Sequence, residues 1–600
     1  MTIQNPKRVY SKRGDAAHAA HSAAVARFDL LANLRLAVFG MALALAIAAW
    51  RGMLHPAWIL LPVAVFGALV VWHARIERRR ARARLLTGFY EQGLARLAGE
   101  WAGQGIAGKE HVPDHHPYAS DLDLFGEGGL FELLCRAQTR HGEKTLAAWL
   151  LHHAPRGTVI ARQEAVAELR DALDLREDLA VLGRAVRAGV HEQTLRAWAE
   201  GPPVYPTPLL PALAALLAAA GVASLVFALL TGNVEPLLLV AVVDLAYSGL
   251  TGRRVTRVSA LVDAPARELT VLAGVLARFE REQFAAPLLQ RAVQSLTAGG
   301  RTASQCMAQL EKRVSMLDQA RNQLFAPIAI LCQWGVLWTW AIERWRLRYT
   351  PRVPRWLDAL GELEALLSLA AHHFENPADP FPELSEGPVE LHAEGLGHPL
   401  FPLARFVPND VHLGGVERLL VVSGSNMSGK STLLRSVGVN AVLAQAGAPV
   451  RSKSLRMTPF AVGATIHVLD SIQEGASRFY AEIMRLKQLQ DMARGGVPLL
   501  FLLDEILHGT NSHDRRVGAA AVLRTFIEAG AVGLVTTHDL AITAIVDDPA
   551  LHARNVHFED QFAAQGLSFD YRLRDGVVQQ SNALRLMRHI GLDVADEAEG

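Results

Sequence analysis

The sequence predicts a composite fold. An all-α body carrying two apolar helical hairpins precedes an α/β domain on a mainly parallel sheet. Three observations carry this. Apolar residues concentrate in two paired blocks, the hydrophobic period changes near residue 389, and a glycine-cornered loop joins an apolar run to a helix. Bulk composition agrees. The chain has 600 residues, 50% hydrophobic and only 20% charged, with a mean hydropathy of +0.17. That length allows about four domains and excludes disorder or a mini-protein. Sixty basic residues face 59 acidic ones, net +1, so no global field draws in nucleic acid and any such binding needs local patches. Cys135, Cys306 and Cys332 lie far apart without metal-ligand spacing, which fits a reducing compartment and excludes a disulfide framework.

Residues 1–33 read as a cytoplasmic tail and 34–74 as the first transmembrane hairpin. Residues 36–50 carry no charge and are bracketed by Arg35 and Arg51. They are short for a span of about 20 residues, and snorkelling arginines make up the difference. Residues 56–74 form the return span, with Trp58 and Trp72 near its two ends. A basic run follows: Arg75, Arg78, Arg79, Arg80, Arg82 and Arg84. Lys7, Arg8, Lys12, Arg13 and Arg27 precede the hairpin. The positive-inside rule therefore puts both ends in the cytoplasm, at the inner membrane. The polar stretch before the first span makes it an anchor and not a signal peptide.

Residues 75–125 are expected to be a basic helical linker and 126–200 a block of core helices. Leu130, Leu133, Leu134 and Leu146, Trp149, Leu150 repeat at helix-face spacing. Residues 201–252 hold the second hairpin, 209–230 and 237–250, with Asp244 inside the shorter span and Arg253, Arg254 and Arg257 after it. An intramembrane Asp is a functional candidate by default. Here it equally suits a place against the neighbouring helix. Residues 325–342 are long enough for a fifth span. A fifth crossing would strand the C-terminal domain outside, and Leu331, Trp334, Trp338 and Trp345 recur as a packed helix face would. This segment therefore belongs with the lever helices 253–388.

From 389 to 600 short β-like runs alternate with helices: Leu419–Val422, Leu499–Leu503 and Val532–Thr536. Such alternation implies a parallel sheet. The first run enters Gly424-Ser425-Asn426-Met427-Ser428-Gly429-Lys430-Ser431-Thr432, the pattern G-x-x-x-x-G-K-S. Its glycines let backbone N–H groups turn to phosphate oxygens, and the helix start adds its dipole. Lys430 supplies charge for the β- and γ-phosphates, and Ser431 a hydroxyl for Mg²⁺. The second run ends in Asp504-Glu505. Asp504 is positioned to hold Mg²⁺, Glu505 to act as general base on the attacking water, and His538 after the third run to reach the γ-phosphate. Lys430, Glu505 and His538 are the candidate catalytic residues, with ATP and Mg²⁺ as the implied ligands.

These motifs resemble the MutS family. SGSNMSGKSTLLRSVGVNAVLAQAGAPV (423–450) is similar to its phosphate loop and following helix, and FVPNDVHL (406–413) to the segment before it. LDSIQEGASRFYAEIMRL (469–486) resembles its serine signature, matching at Gly475, Ser477, Phe479 and Glu482. LLDEILHGTNSHD (502–514) is similar to its magnesium strand and dimer loop, TTHDL (536–540) to its histidine switch, and 569–592 to its ending. Fainter likeness covers 130–169, 356–370 and 390–401.

The resemblance implies a homodimeric ATPase with composite sites. Ser477 of one subunit would approach the γ-phosphate held by Lys430 of the other, across the loop Thr510, Asn511, Ser512 and Asp514. It implies helical levers working on DNA, and Phe406 as the adenine-stacking residue. Three features depart from the pattern. Ser425 stands where the family has Pro. Leu507 and His508 replace a Gly-Arg pair. No mismatch-recognition domain is legible, although Phe89-Tyr90-Glu91 and Phe125-Gly126-Glu127 match the letters of the family's wedge. Two readings remain open: a membrane-anchored MutS-like ATPase on DNA, or a membrane ATPase whose levers drive a protein partner. Lipid headgroups explain the basic run as well as DNA does. A transporter subunit is disfavoured, since no Leu-Ser-Gly-Gly-Gln precedes Asp504.

Overall fold

The computed structural model describes residues 5–187, 197–298, 300–320, 325–402, 406–425, 427–466, 478–508, 510–563 and 566–578. The chain divides into two compact units: 1–136 with 146–171 and 366–600, and 137–145 with 172–365. The expected block 126–200 is thus shared between them.

In the first unit, helix α1 (Pro6–Trp50) and helix α2 (Leu60–Ala98) form an antiparallel hairpin. Asn5 caps α1 through its side chain, accepting from the Lys7 and Arg8 amides. The buried residues of α1 include Tyr10, Ala17, Ala24, Leu31 and Val38, and those of α2 Leu69, Ile76, Ala83 and Tyr90. A seven-residue period is that of a left-handed supercoiled pair. The expected tail is therefore helical from Pro6 and continuous with the apolar stretch. The seam explains this, since small or apolar residues keep returning to it through the charged region. The expected linker 75–125 is helical only to Ala98. Residues 99–129 are mostly irregular and packed, with Leu122 and Leu124 fully buried.

In the second unit, α3 (Leu209–Thr231) and α4 (Glu235–Phe279) make the other hairpin. All four hairpin helices are long and apolar enough to cross a membrane. The segment 325–342 breaks into α5 (Ala326–Leu331) and α6 (Trp334–Tyr349) at Gln333, whose φ is +45°. The break is held by side chains. The Gln333 amide donates to the Asp244 carbonyl and Oδ1 at 2.9 and 3.0 Å. Ser248 Oγ donates to Gln333 Oε1 at 3.2 Å. Asp244 is fully buried there, against a neighbouring element as one reading of the sequence allowed. The break resets the helical phase, which corrects the expected face. Val336, Thr339, Ile342, Trp345 and Tyr349 are buried on α6, whereas Leu331, Trp334 and Trp338 are only half-buried.

The α/β part of the first unit is built on a six-stranded sheet. Its strands are β1 (Leu419–Ser423), β2 (Ala461–Thr465), β3 (Leu499–Leu503), β4 (Val532–Thr537), β5 (Ala553–Ala563) and β6 (Gly566–Asp575). Their order is β6-β5-β1-β4-β3-β2, with only β6 antiparallel. Strands β1, β3 and β4 are buried along their whole length, as their apolar runs require of a sheet covered on both faces. The edge strand β2 is covered by 99–129. Its Ala464 amide donates to the Pro117 carbonyl at 2.9 Å, and the amide of Ile466, just past the strand, donates to Asp121 Oδ1 at 2.7 Å. An edge paired in this way offers no template for a foreign strand. The C-terminal ends of β1, β3 and β4 lie side by side in register, and a doubly covered parallel sheet keeps its site in that crevice.

Candidate functional site

The loop after β1 turns on two glycines. Gly424 has φ +149° and Gly429 +107°. A Cβ on Gly424 would stand 2.9 Å from Ser428 Oγ and 3.0 Å from the Phe558 carbonyl oxygen, so a larger residue there is excluded twice over. Gly429 opens helix α7 (Lys430–Ala446), whose first amides have no carbonyl partner within the helix. Lys430 is 5% exposed, and its Nζ donates to the carbonyls of Gly424 and Ser425 at 2.7 and 2.8 Å. Ser428 Oγ, in the same cradle, is buried with no hydrogen-bond partner among the described residues. A glycine-cornered loop at a helix start that holds a buried hydroxyl and an ammonium offers donors that phosphate oxygens take.

Asp504 sits at the end of β3. Its Oδ2 accepts from Ser431 Oγ at 2.6 Å, and its Oδ1 accepts from Thr536 Oγ1. The contact with Ser431 brings together a hydroxyl and a carboxylate from opposite halves of the site. Hydroxyl and carboxylate oxygens are the ligands Mg²⁺ prefers. Glu505 follows in a left-handed conformation, φ +52°, its amide donating to Thr536 Oγ1 at 3.1 Å. Glu505 Oε1 is 3.1 Å from His538 Nδ1, and Oε2 is 3.9 Å from His508 Nδ1. Lys430, Ser431, Asp504, Glu505 and His538 therefore converge.

A cavity of ≈ 590 Å³ adjoins the loop, walled in part by His398, Phe406, Met427, Phe558 and Tyr571. The Phe406 ring lies against Gly397, where a Cβ would meet it at 2.5 Å. Burial, with the Arg435 charge nearby, pushes the His398 imidazole down to about 4, so it is neutral at pH 7. Sequence reasoning missed Tyr571, Thr536 and the placement of His508. Tyr571 has φ +54°, and its carbonyl accepts from Asn409 Nδ2 at 3.0 Å. It comes close enough that a Cβ on Gly429 would lie 3.2 Å from its ring. Its only sequence signal was an aromatic in the C-terminal tail.

The remaining candidates fall in three groups. Asn426, Gly475 and Ser477 lie outside the described residues. Phe479 packs against the core of the α/β sheet. Asn511 caps helix α8 (Ser512–Glu528), accepting from the Asp514 amide at 2.9 Å, and Asn511 Nδ2 donates to Asp514 Oδ2 at 2.7 Å. Thr510 and the carbonyls of Leu507 and His508 are gathered by the Arg515 guanidinium at 3.1 to 3.2 Å. Ser512 begins α8; its side chain is not among those described. Glu482 ties the signature helix to this loop, accepting the Leu507 amide at 2.5 Å.

Residues 420–599 match the family model described as MutS domain V. The chain is 32% identical over 264 residues to the DNA mismatch repair protein MutS of Natronomonas pharaonis, covering 42% of this chain and 30% of that protein. It is 35% identical over 200 residues to Endonuclease MutS2 of Thermomicrobium roseum, covering 32% and 24%. It is 34% identical over 241 residues to the DNA mismatch repair protein MSH3 of Phaeosphaeria nodorum, covering 39% and 21%. The matched stretch thus spans less than a third of the length of each of these relatives.

Proposed function

Because residues 420–599 carry the MutS domain V, by which the chain belongs to the MutS family, we propose that it is a membrane-anchored, MutS-like ATPase acting on DNA. The observation that carries the reading is the Ser431–Asp504 contact of 2.6 Å beside the Gly424–Gly429 cradle, with Glu505 next in sequence.

In this reading ATP enters the cavity with its triphosphate along the loop and its base toward Phe406. Lys430 leaves the Gly424 and Ser425 carbonyls for the β- and γ-phosphate oxygens, and Ser428 Oγ gains its missing partner. Ser431 and Asp504 hold Mg²⁺, which supplies positive charge to the phosphate oxygens. Glu505 takes the proton of the attacking water. His538, on the same carboxylate, orients it and reads the γ-phosphate. Asp504 is kept aligned by Thr536. Ser477 of a second copy would complete the site, so the active form is a homodimer. The loop 507–514, gathered by Arg515, lies along that junction.

The two hairpins anchor the chain in the inner membrane, with the N-terminus and the ATPase domain in the cytoplasm. Support comes from four sufficiently long apolar helices and from an excess of flanking arginines at the open ends of the hairpins over the single Arg51 at a turn. DNA as the substrate class follows the names of the relatives. A second reading, a protein partner without nucleic acid, is favoured by the near-neutral charge and by a family-model match limited to residues 420–599.

Duplex binding by the detergent-extracted full chain, titrated with salt, separates the two. The DNA reading expects an affinity that falls linearly with log salt, at a slope set by the phosphates neutralised. Absence of binding at low salt, with and without ATP, would overturn it in favour of the protein partner.

A further inference from the structure

We propose that Glu505, His508 and His538 form a binding site for a zinc-class divalent ion, separate from the magnesium ligands Ser431 and Asp504. The geometry carries it. Glu505 Oε1 is 3.1 Å from His538 Nδ1, Glu505 Oε2 is 3.9 Å from His508 Nδ1, and one ligand atom from each residue lies within 4.8 Å of the others. Zinc binds imidazole nitrogen at about 2.0–2.1 Å in a tetrahedron, which sets neighbouring ligand atoms roughly 3.3 Å apart. The three groups stand within side-chain adjustment of that arrangement. Three protein ligands leave a fourth position for water or a nucleotide oxygen. Both imidazoles are exposed, so an ion can enter.

The backbone is bent to make this cluster. Glu505 and Leu507 both have positive φ, +52° and +55°. A non-glycine residue in that region is strained. Leu507 is kept there by burial of its side chain and by the hydrogen bond its backbone N–H donates to Glu482 Oε1. Arg515 holds the Leu507 and His508 carbonyls. The result is that His508, three residues on, returns to the Glu505 carboxylate. The His508 and His538 rings meet edge to face with centroids 5.2 Å apart. A single histidine would suffice for an ion pair. Two imidazoles converging on one carboxylate are a ligand set that borderline-soft ions take and Mg²⁺ does not.

The consequence for catalysis rests on the proposed function. An ion here occupies both the general base and the γ-phosphate sensor, so hydrolysis stops while Lys430 and the loop remain able to bind nucleotide. The binding itself does not rest on that reading.

The test uses the nucleotide-free full chain in detergent micelles with excess Mg²⁺. Co²⁺ is titrated in, its d–d absorption is recorded, and Zn²⁺ is then used to displace it. The proposal expects one Co²⁺ per chain with an intense low-symmetry d–d band, displaced by Zn²⁺. Affinity should fall more than about tenfold in His508→Ala and again in His538→Gln, with unchanged thermal melting in at least one of them. No such band in the wild-type chain, or a band unaltered in both variants, overturns the site. Hydrolysis is read in parallel. If Zn²⁺ fills the site and ATP turnover continues, the general-base reading of Glu505 fails and the site stands. If no ion binds and Glu505→Ala still loses hydrolysis, the site fails and the ATPase reading stands.

Discussion

At the scale of single residues, the first unit buries one carboxylate inside a multiply bonded pair. Glu375 is held bidentately by Arg96, with three contacts of 2.6 to 3.0 Å, and also accepts from the Tyr10 hydroxyl at 3.1 Å. Burial pushes its carboxyl up, but the Arg96 and Arg136 guanidiniums outweigh this and hold it below the ordinary range. Both partners in the pair are almost wholly buried. Removing one member of such a pair leaves an uncompensated charge, at about 3–5 kcal/mol. Glu375→Ala should therefore lower the unfolding free energy of the first unit by that amount, read from the shift of its denaturant midpoint. A change under about 1 kcal/mol would mean the pair is solvated. None of this was legible in the sequence, because Arg96 and Glu375 lie 279 positions apart. The phosphate loop was legible because its whole chemistry is contiguous, from Gly424 to Thr432.

At the scale of elements, the apolar runs disclosed β1, β3 and β4, and helix-face spacing disclosed the helices around Leu130 and Leu146. Charge hides the continuity of α1 and α2. Their polar ends read from charge as a tail and a helical linker, and the seam runs on through both, from Val38 to Tyr10 and from Leu69 to Tyr90. The seam closes on glycines. A Cβ on Gly93 would lie 2.7 Å from the Tyr10 ring, and one on Gly14 would lie 3.2 Å from Tyr90 Cβ. Tyr10 is 2% exposed and tied by its hydroxyl to Glu375, so the ring has little room to yield. Gly93→Ala gains helix propensity but overpacks the seam, by a typical 1–3 kcal/mol. The expected outcome is net destabilisation, seen as faster proteolysis of the α1 N-terminal end. Protection instead would show that the ring moves freely. The irregular segment 99–129 was missed because its order comes from capping β2, a long-range contact with no local period.

At the scale of the whole molecule, the first unit is set to fail in acid. Burial pushes His116, His373 and His398 down to about 4 and His372 to about 3. Each is neutral when folded, while the unfolded chain takes up protons below about 6.5. The unfolded state then binds more protons, so stability is full above pH 6.5 and is lost as pH falls toward 4. Each depressed imidazole contributes on the order of 1–2 kcal/mol by pH 5. Thermal melting of the first unit, followed from pH 7.5 to 5, should fall steeply below 6.5. A flat profile would show that these imidazoles are charged in the fold.

The central claim is that Glu505 is the base of a working nucleotide site assembled on Lys430, Ser431 and Asp504. Its most direct test is ATP binding and ATP hydrolysis measured side by side on the full chain carrying Glu505→Ala. General-base catalysis contributes about 10²–10⁴-fold, so hydrolysis should fall by at least about a hundredfold while ATP binding persists, and Lys430→Ala should lose both. Hydrolysis at the wild-type rate in Glu505→Ala would contradict the account.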